Sequence, residues 1–218
     1  MKRILIVLPL FCALSVFAVD PKLSPETEAQ LKAVARTYLK SQLVNPEPWV
    51  APTQCFMPAT AALLSEAKAS SPHGGKLYYL FARDRKPLVH KAESKAQPVG
   101  QFLVKESWVA DTVTDDKPQS VYKHASGKSL SGRAWHEGKA LQVGDPLDLF
   151  IMLKQDPKTL HTDDGWVYAV VSRDGHTISH AGQIQSCIDC HQDAKHDRIL
   201  GVYAPDQSMI EGLRRRRE

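Results

Sequence analysis

The clearest strand in the sequence reads QFLVKESWVA, residues 101–110, and it follows the turn-forming PVG at 98–100. Side chains alternate across a strand, so successive residues point to opposite faces. One face carries Phe102, Val104, Glu106 and Trp108, and the other carries Leu103, Lys105 and Ser107. The stretch therefore predicts a strand with two chemically different faces.

Further strand-forming segments occur on both sides of this strand. They are residues 77–81 (LYYLF), a short strand near Val121, residues 147–153 and residues 165–172. Asp174-Gly175 is a strong hairpin signal that joins 166–172 to 177–180. The segment 111–144 is otherwise polar and turn-rich. Because hairpins dominate and no βαβ pattern is visible, we predict an α+β fold, a mainly antiparallel β-sheet with flanking helices.

The segment before this sheet is predicted to be helical. Ser24-Pro25 is typical of an N-cap followed by proline at the first helical position, and apolar residues recur at helical spacing to about Leu43. A weaker helix is predicted at 59–69 and a short one at 87–96. The predicted division of the chain is a signal peptide at 1–18, an N-terminal helical extension at 19–75 and a main domain at 76–218.

Near its C-terminus the chain carries Cys187-Ile188-Asp189-Cys190-His191, a C-x-x-C-H motif. Two thiols at this spacing can each bond one vinyl group of a haem, and the adjacent imidazole then reaches the iron as its proximal ligand. A zinc site would need further ligands, and the chain has no second Cys pair. A thioredoxin-like dithiol normally lies early, near a βαβ pattern. The motif therefore predicts one covalently bound haem c, attached to Cys187 and Cys190, with His191 as the iron ligand.

The N-terminus resembles a secretory signal peptide. Basic Lys2-Arg3 precedes an apolar run at 4–17, and Val16-Phe17-Ala18 offers small residues to a signal peptidase. We predict cleavage after Ala18. The alternative is an uncleaved anchor, although the apolar run is shorter than the ~20 residues of a spanning helix. No later segment is long and apolar enough to span, so we expect a soluble mature protein, periplasmic or secreted, where c-type haem is attached.

Charge and cysteine content narrow the class of protein further. The chain has 28 basic and 24 acidic residues, a formal net charge of +4, which is no nucleic-acid footprint. The basic run at 214–217 is interpreted as a solvated end, with a docking patch for an acidic redox partner as the alternative. Cys55 has no partner in the mature chain once both motif thiols hold haem. It is interpreted as a small buried hydrophobe, with an intersubunit disulfide as the alternative.

Four segments, taken in order, resemble the cytochrome P-460 family, which includes the cytochromes c′-beta. They are GQFLVKE at 100–106, MLKQDP at 152–157, DGWVY at 164–168 and SCIDCH at 186–191. The resemblance covers roughly residues 76–203. It implies a mainly antiparallel β fold with helices, commonly in a homodimer, and a c-type haem whose iron is five-coordinate.

The resemblance also implies roles for particular residues. His191 is the proximal ligand, and Cys187 and Cys190 form the thioether bonds. Enzymes of the family oxidise hydroxylamine with a lysine cross-linked to the haem edge, whereas the c′-beta relatives bind NO and CO without that bond. Lys105 lies in the matching V-K-E strand and is the residue nominated for the cross-link. The alternative for Lys105 is an ordinary solvent-facing strand lysine.

The residues themselves also favour an open iron site. A six-coordinate electron carrier needs a second ligand, usually Met or His, and the only methionine that follows His191 is Met209, close to the basic end. Met152 lies in an apolar strand and is interpreted as a core residue. The remaining histidines are conceivable distal ligands without a distinguishing context: His73, His90, His124, His136, His161, His176, His180 and His196.

Two further groups of residues suit a haem site. Trp166, Tyr168 and Val170 share one strand face and suit either an apolar haem wall or ordinary core packing. A carboxylate near the iron could accept protons during oxidation of a nitrogen hydride. The candidates are Glu106, Asp156, Asp163 and Asp164, with a turn as the simpler interpretation of Asp163-Asp164.

The expected function is that of a periplasmic monohaem cytochrome with an open distal site. Its ligands would be NO, CO or hydroxylamine, and oxidation of hydroxylamine or NO would pass electrons to a soluble redox partner. Whether the protein turns over a substrate stays open, because fold and cofactor do not fix chemistry. The alternatives are a six-coordinate electron-transfer cytochrome and a gas-binding module without a catalytic cycle.

Overall fold

Antiparallel strands and a few helices make up the part of the chain that the structure describes. The computed structural model describes residues 23–51, 76–89, 96–114, 121–136, 138–194 and 197–199. Its helices are α1 (Pro25–Thr37), α2 (Lys86–Val89) and α3 (Gln185–His191). Its strands are β1 (Gln42–Leu43), β2 (Trp49–Val50), β3 (Lys76–Ala82), β4 (Phe102–Val113), β5 (Val121–Lys123), β6 (Ser129–Ser131), β7 (Arg133–His136), β8 (Lys139–Lys154), β9 (Trp166–Val171) and β10 (Ile178–Gly182).

One sheet contains most of these strands. Within the described residues its order is β1-β3-β4-β8-β9-β10, with β2 also paired to β3 and β7 to β8, and every pair is antiparallel. β5 and β6 form a separate two-stranded ribbon. The predicted α+β class, a mainly antiparallel sheet with flanking helices, is confirmed.

Helix α1 begins where the sequence predicts. The Ser24 hydroxyl accepts a hydrogen bond of 3.1 Å from the Thr27 N–H, and Pro25 occupies the first turn, where a missing N–H costs nothing. Its buried face meets the sheet through Leu31, Val34 and Ala35, followed by Tyr38. Burial of Leu31 or Val34 contributes roughly 1.5–3 kcal/mol each, and burial of the Ala35 methyl contributes less.

The predicted end of that helix, near Leu43, is wrong. α1 ends at Thr37, a 3₁₀ turn follows at Tyr38–Lys40, and Gln42–Leu43 pairs with Ala82 and Phe81 of β3. Pairing with the sheet satisfies backbone groups that a longer helix would have satisfied internally. Because β1 and β2 both join β3, the segment 19–75 is not wholly helical. The helix predicted at 59–69 lies outside the described residues.

The two faces of β4 are those predicted from its alternation. The α1 face of the sheet is the side that packs on α1, and its core includes Tyr79, Phe81, Val104, Leu149, Ile151 and Val167. The α3 face is the opposite side, and its core includes Leu80, Leu103, Met152, Trp166 and Tyr168. Phe102 and Trp108 pack on the α1-face core, whereas Lys105 lies over the Tyr78 ring on the α3 face. The prediction that Met152 is a core residue is confirmed.

Strand β8 is longer than predicted. It starts at Lys139 instead of near residue 147, because GDP at 144–146 is typical of a turn and hides the continuing strand. The pairing of β4 with β8 shifts register on both sides of Trp108. Such bulges let a strand continue past residues that break a regular ladder.

The predicted hairpin at Asp174-Gly175 is confirmed. It joins β9 to β10, and the Ser172 N–H donates to the Thr177 carbonyl at 2.9 Å. Of the helix predicted at 87–96, α2 covers Lys86–Val89, and 90–95 lie outside the described residues. Across the described ranges, no helix has the length and apolar character needed to cross a membrane.

Candidate functional site at the C-x-x-C-H helix

The C-x-x-C-H motif forms helix α3 and lies against the α3 face. Ile184, Cys187 and Ile188 are partly buried against the core of this face. The helix has no buried residue of its own, so it lies on the surface of the core and not within it. The packing therefore presents the motif to the α3 face while leaving the helix accessible on its outer side.

His191, the last residue of α3, is held by one hydrogen bond. Its Nδ1 lies 2.5 Å from the Arg198 carbonyl oxygen. A carbonyl oxygen only accepts hydrogen bonds, so Nδ1 carries the proton and Nε2 keeps a lone pair. The ring also contacts Tyr168, with centroids 5.4 Å apart. Burial lowers the pKa of His191, although the hydrogen bond to the Arg198 carbonyl acts in the opposite direction. The lowered pKa keeps the imidazole neutral near pH 7.

Residue Asp197 anchors the loop after α3 to the sheet. Its Oδ1 pairs with Lys154 Nζ at 2.7 Å, and the two side chains are 7% and 2% exposed. The Trp166 indole N–H donates to the Asp197 carbonyl at 2.8 Å. Lys154 also donates to the Asp164 carbonyl at 2.7 Å, so its buried charge has two partners. This pairing compensates the cost of burying the lysine.

A second ion pair holds the neighbouring residue, Arg198. Its Nη2 lies 3.0 Å from Asp163 Oδ1, and the Tyr168 hydroxyl donates to Asp163 Oδ2 at 2.8 Å. Asp163 is therefore more than the turn residue suggested by its sequence, although it does pair with Trp166 across that turn. Asp163 and Tyr168 link the loop, the sheet and the ring of His191.

Lys105 lies on the same face as the motif. Its ammonium stands 4.3 Å from the centre of the Tyr78 ring, and no carboxylate in the described part of the chain pairs with it. Burial and the neighbouring charge of Lys76 lower the pKa of Lys105 to about 8, partly opposed by Cys187. The charge of Lys105 also contributes to the lowered pKa of His191, after burial. The structure thus brings Lys105 and the motif together.

A partly open strip runs across the sheet beside Lys105. Strand registers align Lys105 with Phe150, Phe150 with Val170, and Val170 with His180. Phe150 and Val170 are partly buried and His180 is exposed. By contrast, Trp166 and Tyr168 on the same face are almost fully buried. The α3 face therefore has a covered part at Trp166 and Tyr168, which contact Asp197 and His191, and a less covered part along the strip.

The two cysteines of the motif differ in this structure. Cys187 is a free, partly buried thiol, and burial raises its pKa although Lys105 acts in the opposite direction. Cys190 is in a disulfide whose partner lies outside the described residues. A sulfur in a disulfide cannot also hold a haem vinyl group. Attachment of haem at Cys190 therefore requires that the disulfide first be reduced.

The other candidate carboxylates are spread over the molecule. Glu106 lies on the α1 face, where it contacts His124, Tyr38 and Arg173 at 2.7–2.9 Å. Asp156 and Asp164 are exposed. Only Asp163 lies near His191, and its oxygens are already bound to Tyr168 and Arg198.

The candidate distal histidines are not gathered at the motif. His124 is buried against Glu106 on the α1 face, and His180 lies at the edge of the α3 face. His136, His161 and His176 lie elsewhere in the described part of the chain. His73, His90 and His196 lie outside the described residues, as do Cys55, Met209 and the signal segment.

Three residues of this site escaped sequence reasoning: Lys154, Asp197 and Arg198. Lys154 had one usable signal, because strand alternation places it on the same face as Met152, and a lysine on a buried face needs a partner. Asp197 and Arg198 had none, because their partners lie 43 and 35 residues away and no spacing rule links such positions.

Comparison with known proteins yields no family for this chain. No protein-family model matches it, and no curated protein matches it significantly. Among the described residues no group of three or more His, Cys, Asp and Glu side chains is arranged to hold a metal ion. A functional assignment therefore depends on the geometry around α3.

Proposed function

We propose that α3 carries one covalently attached c-type haem, with His191 as the proximal iron ligand and an open position for NO, CO or hydroxylamine. The protein is then a monohaem cytochrome exported to the periplasm, related to the cytochrome P-460 family that it resembles. Oxidation of hydroxylamine or NO, with electrons passed to a soluble acceptor, is the reaction that this reading favours.

The observation that carries the proposal is the hydrogen bond from His191 Nδ1 to the Arg198 carbonyl. Metal-binding histidines almost always donate their second ring N–H to a carbonyl or carboxylate, which fixes the tautomer and strengthens the ligating nitrogen. Nε2 of His191 has the lone pair that an iron ligand needs. The half-buried ring also stays neutral near pH 7, as ligation requires.

The α3 face supplies surroundings that suit a haem. Phe150, whose ring centre lies 4.7 Å from the Lys76 ammonium, and Val170 are aligned with Lys105 across the strands, and Lys105 contributes an amine of lowered pKa near Cys187. A neutral amine is the nucleophilic form of lysine, so Lys105 is suited to bond a haem edge. Haem iron with one imidazole supplies a vacant position for a small ligand.

The disulfide at Cys190 favours a second candidate, a haem-free protein in which the motif serves as a staple, that is, a structural disulfide cross-link. A redox-active dithiol is less well supported, because reactive cysteines have lowered pKa values and burial raises that of Cys187. The two candidates differ in colour, since only a haem protein absorbs strongly in the visible range.

The test is a set of absorption spectra of the full chain, expressed with a haem-maturation system, in ferric, ferrous and CO-treated ferrous forms. We expect a high-spin spectrum that changes when CO binds. A low-spin spectrum indifferent to CO would indicate the six-coordinate electron-transfer alternative. A colourless protein would refute the haem proposal and support the staple.

His191→Gln and His180→Gln form a matched pair for this test, because both histidines lie on the α3 face and only His180 is exposed. We expect the His191→Gln protein to lose the parental spectrum and the His180→Gln protein to keep it. Conversion of a low-spin parent to high spin in His180→Gln would instead identify His180 as a sixth ligand.

A further inference from the structure

We infer that Asp197 and Arg198, held by Lys154 and Asp163, are positioning residues that fix the tautomer and orientation of His191. The inference deepens the proposed function, on which it rests for the role of His191 as iron ligand. Neither ion pair touches the imidazole directly. They act through the backbone, because the carbonyl that holds Nδ1 belongs to Arg198.

The first support is the backbone conformation of the loop. Asp197 has a φ of 50° and Arg198 a φ of 64°. Both therefore lie in the left-handed region, which non-glycine residues visit at a cost and which persists only where the surroundings enforce it. Two such residues in succession turn the chain so that the Arg198 carbonyl points back to the end of α3.

The second support is that each strained residue has its own anchor. Asp197 is bound through its side chain by Lys154 at 2.7 Å and through its carbonyl by the Trp166 indole at 2.8 Å. The Gln97 N–H donates to its other oxygen at 2.5 Å. Arg198 is bound separately to Asp163 at 3.0 Å and donates to the Gln192 carbonyl at 2.9 Å.

The third support is the position of these anchors in the sheet. Lys154 ends β8 and Trp166 begins β9, where the two residues pair directly. Asp163 also accepts from Tyr168, whose ring contacts His191. The imidazole is thus enclosed between a strand residue and a carbonyl, and both are fixed by the same buried polar groups. Without these anchors the Arg198 carbonyl would not hold the proton on Nδ1, and the imidazole would exchange between its Nδ1–H and Nε2–H tautomers.

The test compares Asp197→Asn and Lys154→Met with the control variants Asp145→Asn and Lys139→Met, which alter exposed residues of β8. Asparagine tolerates the left-handed conformation, so Asp197→Asn removes the charge and little else. In the ferrous haem protein we expect the iron–imidazole stretching frequency to fall and the reduction potential to rise in both test variants. The reason is that a His191 without its acceptor is a weaker donor. The controls should match the parent.

A second readout does not need the haem. In ¹⁵N-histidine spectra of the full chain made without haem maturation, at pH 8, His191 should be in the Nδ1–H form. We expect Asp197→Asn and Lys154→Met to shift the tautomer ratio by about fivefold, the factor that one ordinary hydrogen bond supports. A colourless parent would refute the proposed function, and this readout would still decide the present inference.

The inference would be overturned if both test variants fold and keep the parent's iron–imidazole stretching frequency, reduction potential and tautomer ratio. Should either variant fail to fold, Arg198→Ala replaces it, because this side chain is 28% exposed and its loss is better tolerated. Arg198→Ala should shift the tautomer ratio, and Arg198→Lys, which keeps a cation near Asp163, should restore much of it. Equal behaviour of the Ala and Lys variants and the parent would contradict the role of this anchor.

Discussion

The two faces of one sheet treat neighbouring charges in opposite ways. Glu106, on the α1 face, is 1% exposed and has hydrogen bonds or ion pairs with His124, Tyr38 and Arg173. Lys105, the preceding residue on the α3 face, has an aromatic ring beneath it and no acid partner among the described residues. A buried charge with several partners is held in place by them, whereas a lysine of lowered pKa keeps a larger share of neutral, nucleophilic amine. The comparison indicates that Glu106 contributes to the stability of the fold, and under the haem proposal Lys105 is the residue available for chemistry.

The largest effect is expected from removing the chemistry of the α3 face. Cys187→Ala combined with Cys190→Ala should abolish covalent haem in the exported protein, because no other thiol pair in the chain has the attachment spacing. The measurement is haem absorbance after denaturation and removal of free haem. Asp189→Asn, an exposed change within the same motif, is the control and should keep its colour. Covalent haem in the double variant would contradict the proposed attachment.

The second-largest effect is expected from removing the buried carboxylate of the α1 face. Glu106→Gln should lower the free energy of unfolding by about 3–5 kcal/mol, the usual cost of removing one partner from a buried charged network. Urea unfolding monitored by circular dichroism measures this loss. Glu28→Gln, which breaks an exposed helix ion pair with Lys32, is the control and should cost about 0.3–0.5 kcal/mol. Similar losses in both variants would remove the contrast between buried and exposed carboxylates.

The loss at Glu106 should depend on pH. Burial alone would raise the pKa of Glu106, but hydrogen bonds from His124 and Tyr38, together with the charges of His124 and Arg173, outweigh it and lower the pKa. A carboxyl whose folded pKa is lowered contributes stability above its unfolded pKa and loses it as pH falls through the folded value. The difference between parent and Glu106→Gln should therefore be full near pH 6–7 and shrink below about pH 4.

The smallest of these effects is expected at Lys105, with the opposite pH direction. A lysine with a folded pKa of about 8 releases its proton earlier in the folded than in the unfolded chain. The unfolded state then binds more protons between about pH 8 and 10.5, so stability rises with pH in that window. We expect a gain of about 1 kcal/mol between pH 7.5 and 10, discounted for partial exposure.

Lys105→Met should remove this gain, which urea unfolding at the two pH values measures in chain made without haem maturation. Lys139→Met, at an exposed strand position, should leave it intact. If the parent's free energy of unfolding does not rise between the two pH values, Lys105 is an ordinary solvated lysine. The same conclusion follows if the Lys105→Met variant keeps the rise.

Local signals in the sequence predicted much of the fold. Alternation in QFLVKESWVA gave both faces of β4, Ser24-Pro25 gave the start of α1, and Asp174-Gly175 gave the last hairpin. Each of these depends on residues close together in the chain. The first half of β8 was missed because its Gly and Pro are tolerated only through bulges against β4, which a single segment does not reveal.

The candidate site was predictable only in part for the same reason. The motif and Lys105 were found by spacing and resemblance, and the structure brings both to one face. The loop that holds His191 depends on pairs such as Lys154 with Asp197, which form only after β8 and α3 have docked. Such long-range pairs carry no periodic signal in one sequence.

The proposal that Cys187 and Cys190 hold one haem on the α3 face can be checked by peptide mass spectrometry of the exported protein. We expect a peptide containing both cysteines with the mass of one haem added, and a further branch through Lys105 if the haem edge is cross-linked. A haem-free peptide in which Cys190 remains in its disulfide would refute the proposal.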